Sequence, residues 1–276
     1  MHLLKEIVMA RKINAILVVG LFASHAMAGT FSMDPWIVYL EPAGQKTSTV
    51  LTLRYSGPAP GSAPLPGDAV SEPIPVEISV VRREIDVDGK AAYPPGDPLT
   101  DFVIYPSQII LYPGDVTKVQ LQWTGEKIPD KELTFGLIAD QVAVDSERKS
   151  PGKKAMAGVS ILTRYEGIVV LRPAKFKPQV EVDTNYTRKD STGNLLVVML
   201  NNKGTGMQSL KKITLTVAPL DAAGKPDMNK RITFDPNLPA KVIGNSLFAG
   251  FKRRIETPWP AQLPVGPVKV WAVFRE

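Results

Sequence analysis

The chain has 276 residues, a formal net charge of +6 and 44% hydrophobic residues, with 25 prolines, 21 glycines and no cysteine. Both histidines, His2 and His25, precede residue 29, which excludes Ser–His and Cys–His nucleophile pairs and zinc sites built on imidazole or thiolate from the rest of the chain. The basic residues are interspersed with acidic ones and form no stacking pattern with aromatic side chains, which argues against nucleic-acid binding.

The first 28 residues predict a cleaved signal peptide. Three basic side chains precede an apolar run over 13–22, and Ala26-Met27-Ala28 matches a small-x-small cleavage site. The apolar run is too short to span a bilayer, and no later stretch approaches twenty apolar residues. We therefore expect an exported chain that begins near Gly29 and is not embedded in a membrane.

Short β-prone runs punctuated by proline and glycine predict an all-β protein. Segments rich in proline and glycine (57–75) or in charge (145–157) predict long loops. The number of strands predicted before residue 173 is typical of an immunoglobulin-like sandwich. The predicted strands cover 36–40, 48–55, 76–81, 85–92, 102–105, 108–111, 117–123, 133–144 and 158–171.

A polar link at 173–178 separates these strands from a second, smaller β-sandwich. We expect a signal peptide over 1–28, a first domain over 29–172 and a second domain over 173–276. The predicted strands of the second domain lie near 180–183, 195–200, 213–217, 232–234, 247–251 and 268–274.

The stretch 158–173, GVSILTRYEGIVVLRP, is about twice as long as an ordinary strand. Val159, Ile161, Thr163 and Tyr165 share one side of a period-two strand. One interpretation is a long core strand that joins two sandwiches. The other is an edge strand that offers alternate side chains to a guest chain.

Several motifs have a simple structural interpretation. The Asp-Val-Asp-Gly at 86–89 predicts a hairpin turn, because its spacing lacks the later ligands of a calcium loop. We expect no catalytic, metal or cofactor site, although distant carboxylates that converge in a hydrolase stay a remote alternative. Lys252-Arg253-Arg254 predicts a solvated strand end, and the four tryptophans are expected in the cores.

Three arginines have two interpretations each. Arg82 and Arg83 follow an apolar strand, and Arg164 lies in the long stretch described above. Each is either a solvated side chain or, near a cleft, a guanidinium that binds a chain-end carboxylate.

The order of several segments resembles the periplasmic pilus-assembly chaperones of the chaperone–usher system. The most recognisable is DFVIYPSQIILYPGDVTKVQLQW at 101–123, with its aromatic-led strand, its proline, its Pro-Gly turn and its long alternating strand. Further segments that resemble this family are SMDPWIVYLEPAGQKTSTVLTL at 32–53, FGLI at 135–138, LRPAKF at 171–176 and LNNKGTGMQSL at 200–210.

The resemblance implies two immunoglobulin-like domains set at an angle, in a periplasmic, non-enzymatic chaperone without a cofactor. It also implies pilin-like subunits bound along the edge of the first domain, and an outer-membrane usher that receives them. A chaperone of this kind lends a strand to a subunit that lacks one, the mode of binding known as donor-strand complementation. The donor side chains implied here are Val159, Ile161, Thr163 and, as an extension, Tyr165.

The sequence departs from the family at the site that binds the subunit's terminal carboxylate. Ile37 and Ile168 stand where familiar members have an arginine and a lysine. We therefore expect a divergent branch with a relocated anchor, for which Arg83 is the first candidate and Arg82 and Arg164 the others. The free edge also allows self-association.

The alternative is an exported structural or adhesive protein of two immunoglobulin-like domains that binds carbohydrate. That alternative predicts a first domain whose edge at 159–165 is covered by its own strands.

Overall fold

A computed structural model describes residues 30–56, 73–96, 99–143, 162–236 and 245–275. The predicted signal peptide and the predicted donor residues Val159 and Ile161 lie outside these ranges. Within the described ranges the regular structure is β-strand, apart from one 3-10 turn at Met228–Lys230. The all-β prediction is therefore confirmed.

The first domain contains the strands β1 to β11. They are β1 Thr30–Asp34, β2 Ile37–Leu40, β3 Ser48–Ser56, β4 Ile74–Arg82, β5 Glu84–Ile85, β6 Ala91–Ala92, β7 Phe102–Tyr105, β8 Gln108–Leu111, β9 Val116–Trp123, β10 Leu133–Gln141 and β11 Arg164–Leu171.

Two sheets of this domain have the strand order of an immunoglobulin-like sandwich. One is four-stranded in the order β1-β3-β9-β7, and the other is five-stranded in the order β2-β11-β10-β4-β8. The first extended segment of the chain is divided between them, because β1 pairs antiparallel with β3 whereas β2 pairs in parallel with β11. This arrangement confirms the immunoglobulin-like prediction and places β11 beside β2 near one edge of its sheet.

The core of the first domain is filled by alternate residues of facing strands. Leu51 and Leu53 of β3 and Val119 and Leu121 of β9 are fully buried, as the alternation of apolar and polar residues in these strands predicts. Each such side chain contributes about 1.5–3 kcal/mol through its burial. The expectation that every tryptophan is in a core was wrong for Trp36, which is 46% exposed between β1 and β2.

The second domain is a smaller sandwich with a core of its own. Its strands are β12 Val180–Asp190, β13 Gly193–Asn202, β14 Gln208–Ser209, β15 Ile213–Pro219, β16 Ile232–Phe234, β17 Ser246–Leu247, β18 Lys252–Pro258 and β19 Val268–Phe274. The main sheets have the orders β12-β13-β18 and β16-β15-β19, and β14 pairs with β17.

A small apolar cluster joins the two domains. Ile168 and Val170, on the face of β11 that points away from the first core, pack with Phe248 of the second domain. β11 therefore contributes both to the contact between the domains and to the region near one edge of its own sheet.

Candidate functional site

β11, the strand predicted to meet a guest chain, is paired on both sides over only part of its length. It pairs antiparallel with β10 from Arg164 to Leu171. On its other side it pairs in parallel with β2 from Ile168 to Leu171. The first half of β11 therefore has one strand neighbour among the described residues.

The direction of the peptide groups in β11 shows which of them lie on the unpaired side. The amide of Ile168 donates to the carbonyl of Trp36 on the β2 side, at 2.8 Å, whereas the carbonyl of Thr163 accepts a bond from β10. Because this direction alternates along a strand, Arg164 and Glu166 present their N–H and C=O groups on the β2 side, before β2 pairing begins. We call this backbone of Arg164 and Glu166 the open edge. Such an edge is a template for another extended chain.

Two of the four predicted donor residues lie in the part of the chain that the structure describes. The hydroxyl of Thr163 is 3.0 Å from the hydroxyl of the first residue of β1. Tyr165 packs inside its own domain, with its ring centroid 5.1 Å from that of Phe31. Because the Tyr165 ring already has a place in its own core, the proposal below uses Thr163 together with Val159 and Ile161.

The two isoleucines at the expected anchor positions are direct neighbours. Ile37 of β2 and Ile168 of β11 are Cα partners, and Ile168 is 5% exposed against Phe248. Neither aliphatic side chain binds an anion. A cation for a chain-end carboxylate must therefore come from another strand.

A cavity of about 380 Å³ between the two domains contains such a cation. Arg83, directly after β4, lines this cavity, is 8% exposed and lies with its guanidinium carbon 5.7 Å from the centre of the Phe248 ring. Its Nε and Nη1 atoms have no hydrogen-bond partner among the described residues. A buried guanidinium with unbonded nitrogens is costly to desolvate and favours an anionic partner.

Tyr93 interacts electrostatically with Arg83 and with Glu166. Its ring covers Gly136 of β10, where a Cβ atom would approach the ring to 2.5 Å. Glu166 and Arg83 shift the pKa of its hydroxyl in opposite directions. Desolvation, followed by the negative charge of Glu166, raises the pKa of Tyr93. Desolvation lowers the pKa of Arg83, although Tyr93 opposes the shift.

The other two anchor candidates have different surroundings. Arg164 is exposed and already pairs with two carboxylates, Asp140 at 3.1 Å and Glu166 at 3.2 Å. Arg82 is exposed and lines the same cavity as Arg83. Burial together with unbonded nitrogens thus distinguishes Arg83 from both, and its role as the anchor stays a prediction.

No sequence pattern indicated Glu132, whose carboxylate is buried between the domains. This carboxylate accepts hydrogen bonds from the Nε atom of Arg172 and from the amide of Met207. The guanidinium of Arg172 is stacked between two rings, 4.7 Å from Tyr39 and 4.3 Å from Phe176. The Arg-Pro at 172–173 marked one half of this ion pair, but its partner is 40 residues away in the chain.

The prediction of a solvated strand end at 252–254 was wrong for Arg253, which is 6% exposed. The predicted hairpin turn at 86–89 is confirmed, and it packs against these residues. Arg253 Nη1 donates to the carbonyl of Asp88 at 2.8 Å, and Arg254 donates to both carboxylate oxygens of Asp88, at 2.9 and 2.6 Å. The turn of the first domain therefore explains why this basic run is partly buried.

The described residues contain no group of three or more acidic, histidine or cysteine side chains arranged to hold a metal ion. They also contain no helix with the length and apolarity needed to cross a membrane.

No family model and no curated protein matches the chain, but many solved structures do. A chaperone–tip adhesin complex of CFA/I fimbriae is 12% identical over 82% of this chain and 84% of that one, with a TM-score of 0.48. The CsuC–CsuE complex from archaic Csu pili of Acinetobacter baumannii is 14% identical over 87% and 91%, with a TM-score of 0.48. The Salmonella enterica complex of SafA pilin and SafB chaperone is 16% identical over 83% and 84%, with a TM-score of 0.44. Many of the structures that this chain resembles are thus fimbrial chaperones, at low sequence identity.

Proposed function

We propose that this protein is a periplasmic chaperone that caps pilin-like subunits by donor-strand complementation and delivers them to an outer-membrane usher. The observation that carries the proposal is the open edge of β11, and a buried, incompletely bonded arginine lines the cavity between the two domains. The edge offers backbone groups to an extended subunit strand, and Arg83 offers a positive charge to the carboxylate that ends it.

The expected binding energies are of the size needed for transient capture of a subunit. Each backbone hydrogen bond at the open edge contributes about 0.5–1.5 kcal/mol, and burial of a valine or isoleucine in the subunit contributes about 1.5–3 kcal/mol. Val159 and Ile161 supply such side chains, and Thr163 supplies a weaker one. A subunit strand that fits the same groove better can then replace the borrowed strand without nucleotide hydrolysis.

The alternative of an adhesive protein predicts an edge covered by its own strands. Over the described residues, the first half of β11 pairs with β10 alone. This observation favours a guest strand over a closed sandwich, and the proposal therefore assigns no carbohydrate site.

Co-purification with a pilin-like subunit expressed from the same operon tests this function. Ile161→Asp places a charge where the proposal needs an apolar donor, so we expect the complex to be lost while the chaperone stays folded. Val265→Asp, at an exposed position of the second domain, is the matched control and should leave the complex intact. A complex that survives Ile161→Asp refutes the donor assignment.

A further inference from the structure

The strand β8 is the edge of the five-stranded sheet at the end farthest from β2. It pairs antiparallel with β4, which is its one strand neighbour among the described residues. The amide of Ile78 in β4 donates to the carbonyl of Ser107 at 2.8 Å, so Ser107 presents its backbone to β4. Because this direction alternates along a strand, Gln108 and Ile110 present their N–H and C=O groups away from β4. We call this backbone of Gln108 and Ile110 the second edge.

The side chains at the second edge do not protect it from pairing. β8 has the sequence Gln-Ile-Ile-Leu, whereas the edge strand β12 has basic and acidic side chains at 188–190. Ile110 and Tyr112 are 56% and 55% exposed, and Ile110 lines a cavity of about 410 Å³ together with Pro75 and Val142. An uncharged edge with exposed apolar side chains is a template for another extended chain.

We propose that a second copy of this chain pairs antiparallel with the second edge and forms a two-fold symmetric dimer. The length of the edge favours this occupant. The edge ends at Ile110, because the amide of Tyr112 donates to the carboxylate of Asp115 and the carbonyl of Tyr112 accepts from the amide of Asp115. With the two-fold axis at Ile109, Gln108 of one copy pairs with Ile110 of the other. Every N–H and C=O group of both second edges then has a partner.

The side chains on the outer face of the sheet are compatible with this pairing. Ile110 of one copy lies beside Gln108 of the other, and the two Ile110 side chains are diagonal neighbours within reach of each other. Glu77, the charged residue that lines the cavity, is the Cα partner of Gln108 in β4. Both β8 strands therefore separate the two copies of Glu77, and these like charges do not meet.

A segment of the same chain is a poorer occupant of the second edge. The residues between β3 and β4, at 57–72, include four prolines. A proline has no N–H group to donate to a strand ladder, so this segment would leave bonds of the second edge unmade. A second copy makes all of them.

This inference does not depend on the proposed function. In the sheet order β2-β11-β10-β4-β8, two strands separate β8 from β11. Dimerisation at β8 joins the two five-stranded sheets into one continuous sheet and leaves the open edge of each copy free. Each copy of the dimer therefore keeps its own site for a guest strand.

Sedimentation velocity of the full-length protein over a range of concentrations measures the dimer. Gln108→Pro removes an N–H group that points away from β4, so it should weaken dimerisation at least about tenfold and leave the fold intact. Ile110→Lys should weaken it to a similar extent, because a lysine on an edge strand opposes pairing. Val273→Lys, at an exposed position of the edge strand β19, is the matched control and should dimerise as the unaltered protein does.

Amide hydrogen exchange distinguishes a second copy from another part of the same chain. The amides of Gln108 and Ile110 should be protected in concentrated solution and exchange at least about tenfold faster in dilute solution. Protection that is independent of concentration means that the same chain covers the second edge, and it overturns the inference. A protein that stays monomeric also overturns it. If Gln108→Pro fails to fold, a dimer that survives Ile110→Lys overturns it instead.

Discussion

Burial separates Arg83 from the exposed arginines Arg82 and Arg164. A solvated guanidinium gains little from a carboxylate, because water screens the pair. For a buried guanidinium, an anion that binds compensates the large desolvation cost that burial imposes. The apolar pair Ile37 and Ile168 therefore does not rule out a carboxylate anchor in the cleft. A carboxylate anchor there needs a cation from another position, and the buried Arg83 at the end of β4 is the predicted one.

The corresponding variant is Arg83→Ala, compared with Lys252→Ala. Removal of a buried partner of a charge pair costs about 2–5 kcal/mol, so Arg83→Ala should weaken subunit binding about thirtyfold or more. Lys252 is exposed and pairs with Asp183 at 2.8 Å, so its loss should change affinity less than threefold or so. Isothermal titration with a pilin-like subunit measures both, and equal small effects would remove Arg83 from the site.

Contacts between residues that are far apart in the chain could not be predicted from the sequence. The sequence indicates Arg83 as a candidate, because two arginines follow an apolar strand. Tyr93 follows a short hairpin and has no local pattern that indicates a neighbour in β4 or β11. Glu132 likewise precedes an ordinary strand, and its partners Arg172 and Met207 become neighbours only in the fold. Such contacts depend on tertiary structure, which local sequence does not encode.

Strands with a clear alternation of apolar and polar residues were the best predicted elements. β9 was expected over 117–123 and is observed at Val116–Trp123. β12 was expected over 180–183 but continues to Asp190, although its later residues are polar and exposed. Its pairing with β13 and the bonds of Asp190 to Thr192 and Gly193 extend this hairpin. Cross-strand hydrogen bonds therefore extend this strand beyond the residues whose apolar–polar alternation predicts it.

The contact between β10 and Tyr93 can be tested as a pair. Gly136→Ala should destabilise the protein by about 1–3 kcal/mol, because its methyl group overlaps the Tyr93 ring. In a Tyr93→Ala background the same change should cost much less, as expected for residues in contact. Urea unfolding gives both values, and Gly96→Ala, in open space, is the control. Equal costs of Gly136→Ala in the two backgrounds would contradict this packing.

At the scale of the whole molecule, two polar contacts join the domains in addition to the apolar cluster. One is the buried carboxylate of Glu132 with Arg172 and Met207. The other is the hairpin turn that carries Asp88, held by Arg253 and Arg254. The sequence indicated the turn and the basic run separately, but it could not show that they meet, since they lie in different domains.

Gly89→Ala tests the second contact, with Gly224→Ala as its control. Both glycines have positive φ angles, +82° and +74°, so each variant should lose about 1 kcal/mol from backbone strain. A Cβ at Gly89 would also overlap the guanidinium of Arg253, whereas nothing lies within 4 Å of a Cβ at Gly224. We expect Gly89→Ala alone to separate the thermal unfolding of the two domains in calorimetry. Identical melting curves of the two variants would show that the turn does not join the domains.

Amide hydrogen exchange along β11 tests the central claim most directly. In the free protein at low concentration, the amides of Arg164 and Glu166 should exchange quickly, because they lie on the open edge. Those of Tyr165 and Gly167, which face β10, should be protected. A bound pilin-like subunit should protect Arg164 and Glu166 as well. Protection of these two amides in the free monomer, or fast exchange in the complex, would contradict the account.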